Sequence, residues 1–175
     1  VQLRALAGRG SAPDAALIES RVRLDPGDVH QPRTGLICLE NAHSDGRVIS
    51  LKDMRAVRQV SQRHGVPLHL DGARLFNAAL QLGVSAKELA AEADSVMFCL
   101  PKGLCAPVGS MLRGSAAFVE KARHGRKLMG GGMRQTGILA AAGLLALREM
   151  TGRLAEDHGN ARHGGQPPGQ MPGVE

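Results

Sequence analysis

The sequence predicts an α/β fold with a mostly parallel sheet and flanking helices. Short apolar runs of strand length alternate along it with segments of helical periodicity, the pattern of strand–helix–strand units. Its 175 residues, 43% hydrophobic and 22% charged, suit one globular domain and exclude fibrous, collagen-like and wholly disordered chains.

In chain order, Gly35–Leu39 is the first predicted strand. Ser50-Leu51-Lys52-Asp53 has the form of a capping box with Asp in the Glu position. It opens a helix to about His64, which Gly65 and Pro67 stop. Pro67–Asp71 is the second strand, and Ser85-Ala86-Lys87-Glu88 is a full box opening a short helix, Ala86–Ala91. Ser95–Leu100 is the third strand and Gly109–Leu112 a fourth. An amphipathic segment runs from Ser115 to about His124. A long one from about Thr136 to Glu156 carries Ile138, Leu139, Leu144, Leu145 and Leu147 on a wide apolar face, which packs on a sheet or a neighbouring subunit. From Gly159 to Glu175, five Gly and three Pro predict a disordered tail, leaving residues 1–158 as the folded part.

Charge and composition narrow the function classes. Lys+Arg 22 against Asp+Glu 16 gives +6, a moderate excess that suits nucleic acid, an anionic membrane or a phosphorylated ligand. With no Trp, no Tyr and three Phe, the stacking platforms of single-strand binders are nearly absent, so nucleic acid is not the expected partner. No stretch approaches the length of a membrane span, so no membrane partner is expected. Cys38 and Cys99 lie in apolar runs and Cys105 makes the count odd, which predicts buried reduced thiols and a cytoplasmic protein. Because the first residue is Val1, mitochondrial residence stays open. Seven histidines invite a metal, but His64 and His69 fall in a turn and a strand, and neither HExxH nor paired Cys-x-x-Cys occurs, so no metal is expected. No G-x-S-x-G elbow supports a serine hydrolase.

Open α/β sheets bind ligands beyond the carboxyl ends of their strands, and three segments fall there. Val66 to Arg74 is an apolar strand ending in Asp71, a glycine and, soon after, Arg74. Asp71 reads either as the N-cap of a helix over Ala73–Gln81 or as a functional carboxylate, which needs a cationic partner at such depth. Ser95 to Gly103 delivers Lys102 from an apolar strand into a glycine-containing loop. That lysine is either a partly desolvated nucleophile toward an aldehyde or a side chain extending back to water. Lys121 to Arg134 clusters bases around Gly130-Gly131-Gly132, which suits a phosphate or a solvated helix face.

Together these blocks resemble a known family. His69-Leu70-Asp71-Gly72-Ala73-Arg74-Leu75-Phe76-Asn77-Ala78, Ala93 to Val96, Lys102 to Ser110, and Gly130-Gly131-Gly132-Met133-Arg134-Gln135 resemble the low-specificity threonine aldolases of the aspartate-aminotransferase-like fold type I. Asp28-Val29-His30, Cys38-Leu39-Glu40-Asn41 and His43 are similar to the same family's upstream blocks. The resemblance covers roughly Asp28 to Arg162.

The resemblance implies part of the large domain of a pyridoxal-phosphate enzyme that cleaves L-threonine or L-allo-threonine to glycine and acetaldehyde. It implies Lys102 as the lysine that carries pyridoxal 5'-phosphate, and Asp71 as the partner of its pyridine nitrogen. Arg74 would be the fork for the amino-acid carboxylate or cofactor edge, and His30 would stand near the substrate's β-hydroxyl, with water or phosphate as alternative bases. Arg134 with Lys127 would reach a neighbouring subunit's cofactor phosphate, so a homo-oligomer is implied. Pro101 replaces the family's usual Ser, and Ala42 its usual Thr. The chain resembles the middle of such an enzyme, lacking its N-terminal part and small C-terminal domain, so impaired activity is expected. A catalytically inactive remnant of the family and another fold-type-I lyase are the alternatives.

Overall fold

The computed structural model describes residues 2–6, 13–24, 27 and 30–165. The chain divides into two compact units, Val1–Cys99 with Ser110–Arg134, and Leu100–Gly109 with Gln135–Glu175.

The first unit is built on a four-stranded sheet in the order β1 (Ile37–Glu40), β2 (Leu68–Asp71), β3 (Ser95–Cys99), β4 (Ser110–Arg113). β1, β2 and β3 are parallel, with Leu39 beside Leu70 and Leu70 beside Val96; β4 returns antiparallel, Ser110 opposite Cys99. Before the sheet comes α1 (Ala15–Ser20), and α2 (Leu51–His64) crosses from β1 to β2. α3 (Leu75–Leu82) and α4 (Ala86–Ala91) cross from β2 to β3. Both crossovers step the same way across the sheet, and right-handed crossovers then put their helices on one face. Met54, Val57 and Val60 of α2, Leu75 and Ala78 of α3 and Leu89 of α4 accordingly form one core with Ile37, Leu39, Leu68, Leu70 and Val96. Fully burying a side chain of the Val, Leu or Met size stabilises by about 1.5–3 kcal/mol.

Local chemistry sets the helix ends. The Ser50 side chain accepts the Asp53 N–H, and Gly65 closes α2 in the left-handed region at φ 63. Ser85 and Glu88 form the reciprocal capping box of α4, and Ser115 caps α5 (Ala116–Leu128). His64 is therefore the last residue of α2 rather than part of a turn. The sequence reading lacks α1, whose signal is the cap Asp14 accepting the Leu17 N–H.

Cys38 corrects the expectation of buried thiols. β1 alternates, with Ile37 and Leu39 buried and Cys38 exposed, because the crossover helices cover only one face of the sheet. Cys99 is half-buried and Cys105 exposed.

In the second unit the Leu100 N–H donates to the Gly109 carbonyl at 3.0 Å and closes the loop carrying Lys102. α6 (Gly137–Leu145) follows, then a π-helical stretch (Ala146–Met150), a 3-10 turn (Thr151–Arg153) and α7 (Leu154–Gly164). A Cβ at Gly143 would lie 3.1 Å from Leu100 Cδ1, so this glycine makes room for Leu100 against α6. The single predicted helix over Thr136–Glu156 is thus interrupted. The Thr151 hydroxyl donates to the Leu147 carbonyl at 3.5 Å, next to Gly152, and such back-bonding disturbs the regular ladder. On the predicted apolar face Ile138, Leu144 and Leu145 are exposed. The predicted tail is corrected as well: α7 runs through Gly159 to Gly164, since that stretch holds no Pro until Pro167 and a helical Gly costs only about 1 kcal/mol. The rest of that tail, 166–175, lies outside the described residues.

Candidate active site

The carboxyl ends of the parallel strands bring Glu40 and Asp71 side by side, in register on β1 and β2. Asp71 is half-buried at the end of β2, and its Oδ1 accepts the Ala73 N–H at 3.0 Å. Its carbonyl accepts the Asn41 N–H at 2.9 Å, while the Gly72 N–H donates to the Met97 carbonyl at 2.8 Å, joining β2 to β3 at this point. A Cβ on Gly72 would stand 2.9 Å from that Met97 oxygen, so only glycine fits. α3 begins at Leu75 with Arg74 in the cap position, so Asp71 is not the helix N-cap; its short side chain closes a turn onto Ala73 instead. The cationic partner that its depth suggested is absent among the described residues. The half-buried Arg74 side chain likewise has no hydrogen bond or ion pair among them.

The other predicted residues are spread between the units. Lys102 belongs to the second unit, where its carbonyl accepts the Cys105 N–H at 2.9 Å and Cys105 takes φ 58. It is exposed, which matches the reading of a side chain that extends to water rather than that of a partly desolvated amine; the strand ends at Cys99 and the lysine stands in the turn beyond it. His30 is exposed in the first unit, on a loop whose stem is closed by the Thr34 N–H donating to the Arg23 carbonyl at 2.9 Å and the Arg23 N–H to Thr34 Oγ1 at 3.0 Å. Lys127 lies in the last turn of α5, and Arg134 follows the glycines, both exposed.

The three glycines do something the sequence did not disclose. The Gly131 N–H donates to the Arg126 carbonyl at 2.8 Å, folding the loop back on α5, with Gly130 at φ 80. A Cβ on Gly131 would lie 2.9 Å from Arg126 Cγ, and one on Gly132 would lie 2.7 Å from Lys127 Cδ. These glycines therefore seat the stems of two basic side chains that make no ion pair among the described residues.

Beside Asp71 stands a pair to which the residue reading gave no role. Glu40 Oε2 is 3.7 Å from His43 Nδ1. The loop carrying His43 is fixed by Asn41, which is fully buried: its Nδ2 donates to the Ile49 carbonyl at 2.9 Å, and its Oδ1 accepts the Ile49 N–H at 3.1 Å. The His43 N–H donates to the Arg47 carbonyl at 2.9 Å. Arg47 is occupied by Asp45, at 2.6 Å, and holds that carboxyl down at about 2, chiefly by this hydrogen bond. The signal for the pair was Glu-x-x-His directly after a strand. Among the described residues no group of three or more His, Cys, Asp or Glu is arranged to hold a metal ion, and no helix is long and apolar enough to cross a membrane.

The fold is that of the fold-type-I enzymes. The chain superposes on an aspartate aminotransferase of Thermus thermophilus with a TM-score of 0.64 at 14% identity, covering 86% of this chain and 38% of that one. It superposes on the threonine aldolase of Leishmania major with a TM-score of 0.67 at 22% identity, covering 86% and 44%. The chain belongs to the beta-eliminating lyase family, whose model matches residues 1–175. Low-specificity L-threonine aldolase 1 of Arabidopsis thaliana is 49% identical over 163 residues, which is 92% of this chain and 46% of that protein. The chain spans about half the length of the curated relatives it matches.

Proposed function

We propose that this chain carries out, as part of a pyridoxal-phosphate lyase, the retro-aldol cleavage of L-threonine or L-allo-threonine to glycine and acetaldehyde. The observation that carries the reading is the half-buried Asp71 at a strand end with the unpartnered Arg74 just beyond it. A half-buried carboxylate without a cation and a half-buried guanidinium without an anion each carry part of that desolvation cost, and a ligand with a protonated ring nitrogen and a carboxylate relieves both. The donor set therefore fits pyridoxal phosphate and an amino acid.

Each residue then has a task. Lys102 binds the cofactor covalently through its amine. Asp71 holds a proton at the ring nitrogen, and Arg74 orients the substrate carboxylate in the bidentate geometry that planar guanidinium favours. Lys127 and Arg134 bind the phosphate of a second copy's cofactor, which makes the working protein a homo-oligomer. His30 hydrogen-bonds the substrate's β-hydroxyl. Pyridoxal phosphate, when bound, supplies the electron sink for the pair released as the Cα–Cβ bond breaks. A small amino-acid substrate and a cytoplasmic setting belong to the same proposal.

The test is to mix the protein with pyridoxal phosphate, reduce with borohydride and locate the label by peptide mass spectrometry. Label on Lys102 together with glycine release from L-threonine supports the reading; label spread over surface lysines overturns it. One second reading has its own observation. Leu128, Met129 and Ile138 are 88%, 89% and 82% exposed, which favours a non-catalytic chain that docks on a related subunit.

A further inference from the structure

Asp71 has no cationic partner among the described residues, although a histidine stands two residues before it on β2. Residues two apart on a strand share a face and lie about 6–7 Å from each other, so an imidazole at His69 is long enough to reach the Asp71 carboxylate. It does not reach it because it is held sideways. His69 Nδ1 lies 2.7 Å from Oγ of Ser95, its register partner on β3. Ser95 is 7% exposed, and a hydroxyl buried that far gives up its hydrogen-bond partner only at a cost. We propose that Ser95 is a positioning residue: it holds the His69 imidazole off Asp71 and so reserves that carboxylate for the ring nitrogen of the cofactor. This rests on the reading above that pyridoxal phosphate binds at these strand ends.

The other side chains on this face do not compete for Asp71. β1, β2 and β3 turn Cys38, Glu40, His69, Ser95, Met97 and Cys99 away from the crossover helices, and of the partners this offers Asp71 only the imidazole can become a cation. Glu40, beside Asp71 on β1, is an acid with His43 at 3.7 Å, and Met97, beside it on β3, has no side-chain donor. The field of the Asp71 carboxylate extends to the row that holds His69. After burial, it is what raises the thiol of Cys38, the register partner of His69 on β1. An imidazole freed in that row is therefore drawn to Asp71. Since Oδ1 already accepts the Ala73 N–H at 3.0 Å, the ring would take the oxygen that the cofactor's nitrogen needs.

Removing the hydroxyl has a signature that a merely supporting serine does not share. In the full chain, Ser95→Ala should free the imidazole and weaken pyridoxal phosphate binding, followed by absorbance titration, by about 10- to 100-fold, the strength of a hydrogen bond to a charged group. Adding His69→Leu, which fills the space but cannot donate, should bring the affinity back to within about threefold of the unsubstituted protein. A serine that only supports the sheet predicts the reverse, a double variant weaker than either single one.

A second arm needs no cofactor. In 15N-histidine-labelled protein, Ser95→Ala should bring up a slowly exchanging ring N–H signal of His69, which Asp71→Asn then abolishes. Unchanged affinity in Ser95→Ala, a double variant no tighter than Ser95→Ala, or a His69 signal indifferent to Asp71→Asn overturns the proposal. Failure of the unsubstituted protein to take the cofactor at Lys102 would instead overturn the functional reading beneath it, and the cofactor-free signals would still decide whether Ser95 keeps the imidazole off Asp71.

Discussion

Gly72→Ala is the substitution that separates stability from site geometry most sharply. The new Cβ would lie 2.9 Å from the Met97 carbonyl oxygen, 3.1 Å from Leu75 Cβ and 3.4 Å from Val96 Cγ1. The first neighbour is backbone of the adjoining strand, so it yields only if β2 and β3 part by a few tenths of an ångström, weakening the 2.8 Å bond from Gly72 N–H to Met97. Overpacking of this kind costs about 1–3 kcal/mol. Replacing Gly also restricts the unfolded chain, which offsets about 0.4–1 kcal/mol. A net loss of about 1–2 kcal/mol is expected, read as a shift of the urea midpoint by far-ultraviolet circular dichroism, since the chain has no Trp or Tyr. Gly65→Ala is the control. At φ 63 with nothing within 4 Å of its Cβ, it carries conformational strain of about 1–2 kcal/mol just before the amino end of β2, the opposite end of that strand from Asp71. The two variants should be similarly destabilised, but only Gly72→Ala should lose selective labelling of Lys102 by pyridoxal phosphate, because it moves Asp71. Equal labelling in both, or a Gly72→Ala variant as stable as the parent, would refute the reasoning.

Three further outcomes are expected. The Arg58 guanidinium, 2.6 Å from Asp94, holds that carboxyl below its usual value, so its stabilisation is present above the unfolded pKa of about 3.9 and is lost as pH falls through the lower folded value. Arg58→Ala should therefore lower stability at neutral pH by at most about 1 kcal/mol and flatten the decline below about pH 4, measured by urea titration at several pH values. Gly132→Ala should leave stability within about 0.5 kcal/mol, since the clash is with a flexible side chain; by displacing Lys127 it should weaken binding of phosphate monoesters, measured by calorimetry. Desolvation, helped by the Asp71 carboxylate, raises the Cys38 thiol, so iodoacetamide should modify it slowly at neutral pH and faster as pH rises, and Asp71→Asn should speed the reaction, followed by peptide mass spectrometry.

Most of the frame was legible because its signals are local. Ser50, Gly65 and Ser85 each state a helix end within four residues, and the apolar runs at 37–40, 68–71 and 95–99 are bounded by the turns that free them to be strands. From the residues alone Asp71 reads either as a helix cap or as a functional carboxylate, and the roles of Asp71 and Arg74 came from the family resemblance. What sequence could not supply is set by tertiary relations. Cys38 reads as core in an apolar run, and only the direction of the crossovers decides that it points away from their helices. The two readings of Lys102, desolvated or extending to water, are decided only by where the strand stops, three residues before it. The change from α to π geometry after Leu145 leaves the apolar spacing intact, so periodicity does not register it.

The face opposite the crossover helices also explains why the candidate residues are where they are. Side chains alternate along a strand, so Cys38 and Glu40 of β1 and His69 and Asp71 of β2 point away from the helix-covered side, whereas Ile37, Leu39, Leu68 and Leu70 point into it. Two successive crossovers in one direction fill one face with Met54, Val57 and Leu89 and leave the opposite face polar, with His69 Nδ1 2.7 Å from Ser95 Oγ across β2 and β3. Core and site are thus two sides of the same four-residue strands. A one-residue slip of β2 would exchange them, burying His69 and Asp71 and exposing Leu68 and Leu70. The hydrophobic term that drives the fold therefore also fixes which way Asp71 and Glu40 face, and the chemistry at the strand ends needs no separate device to orient them.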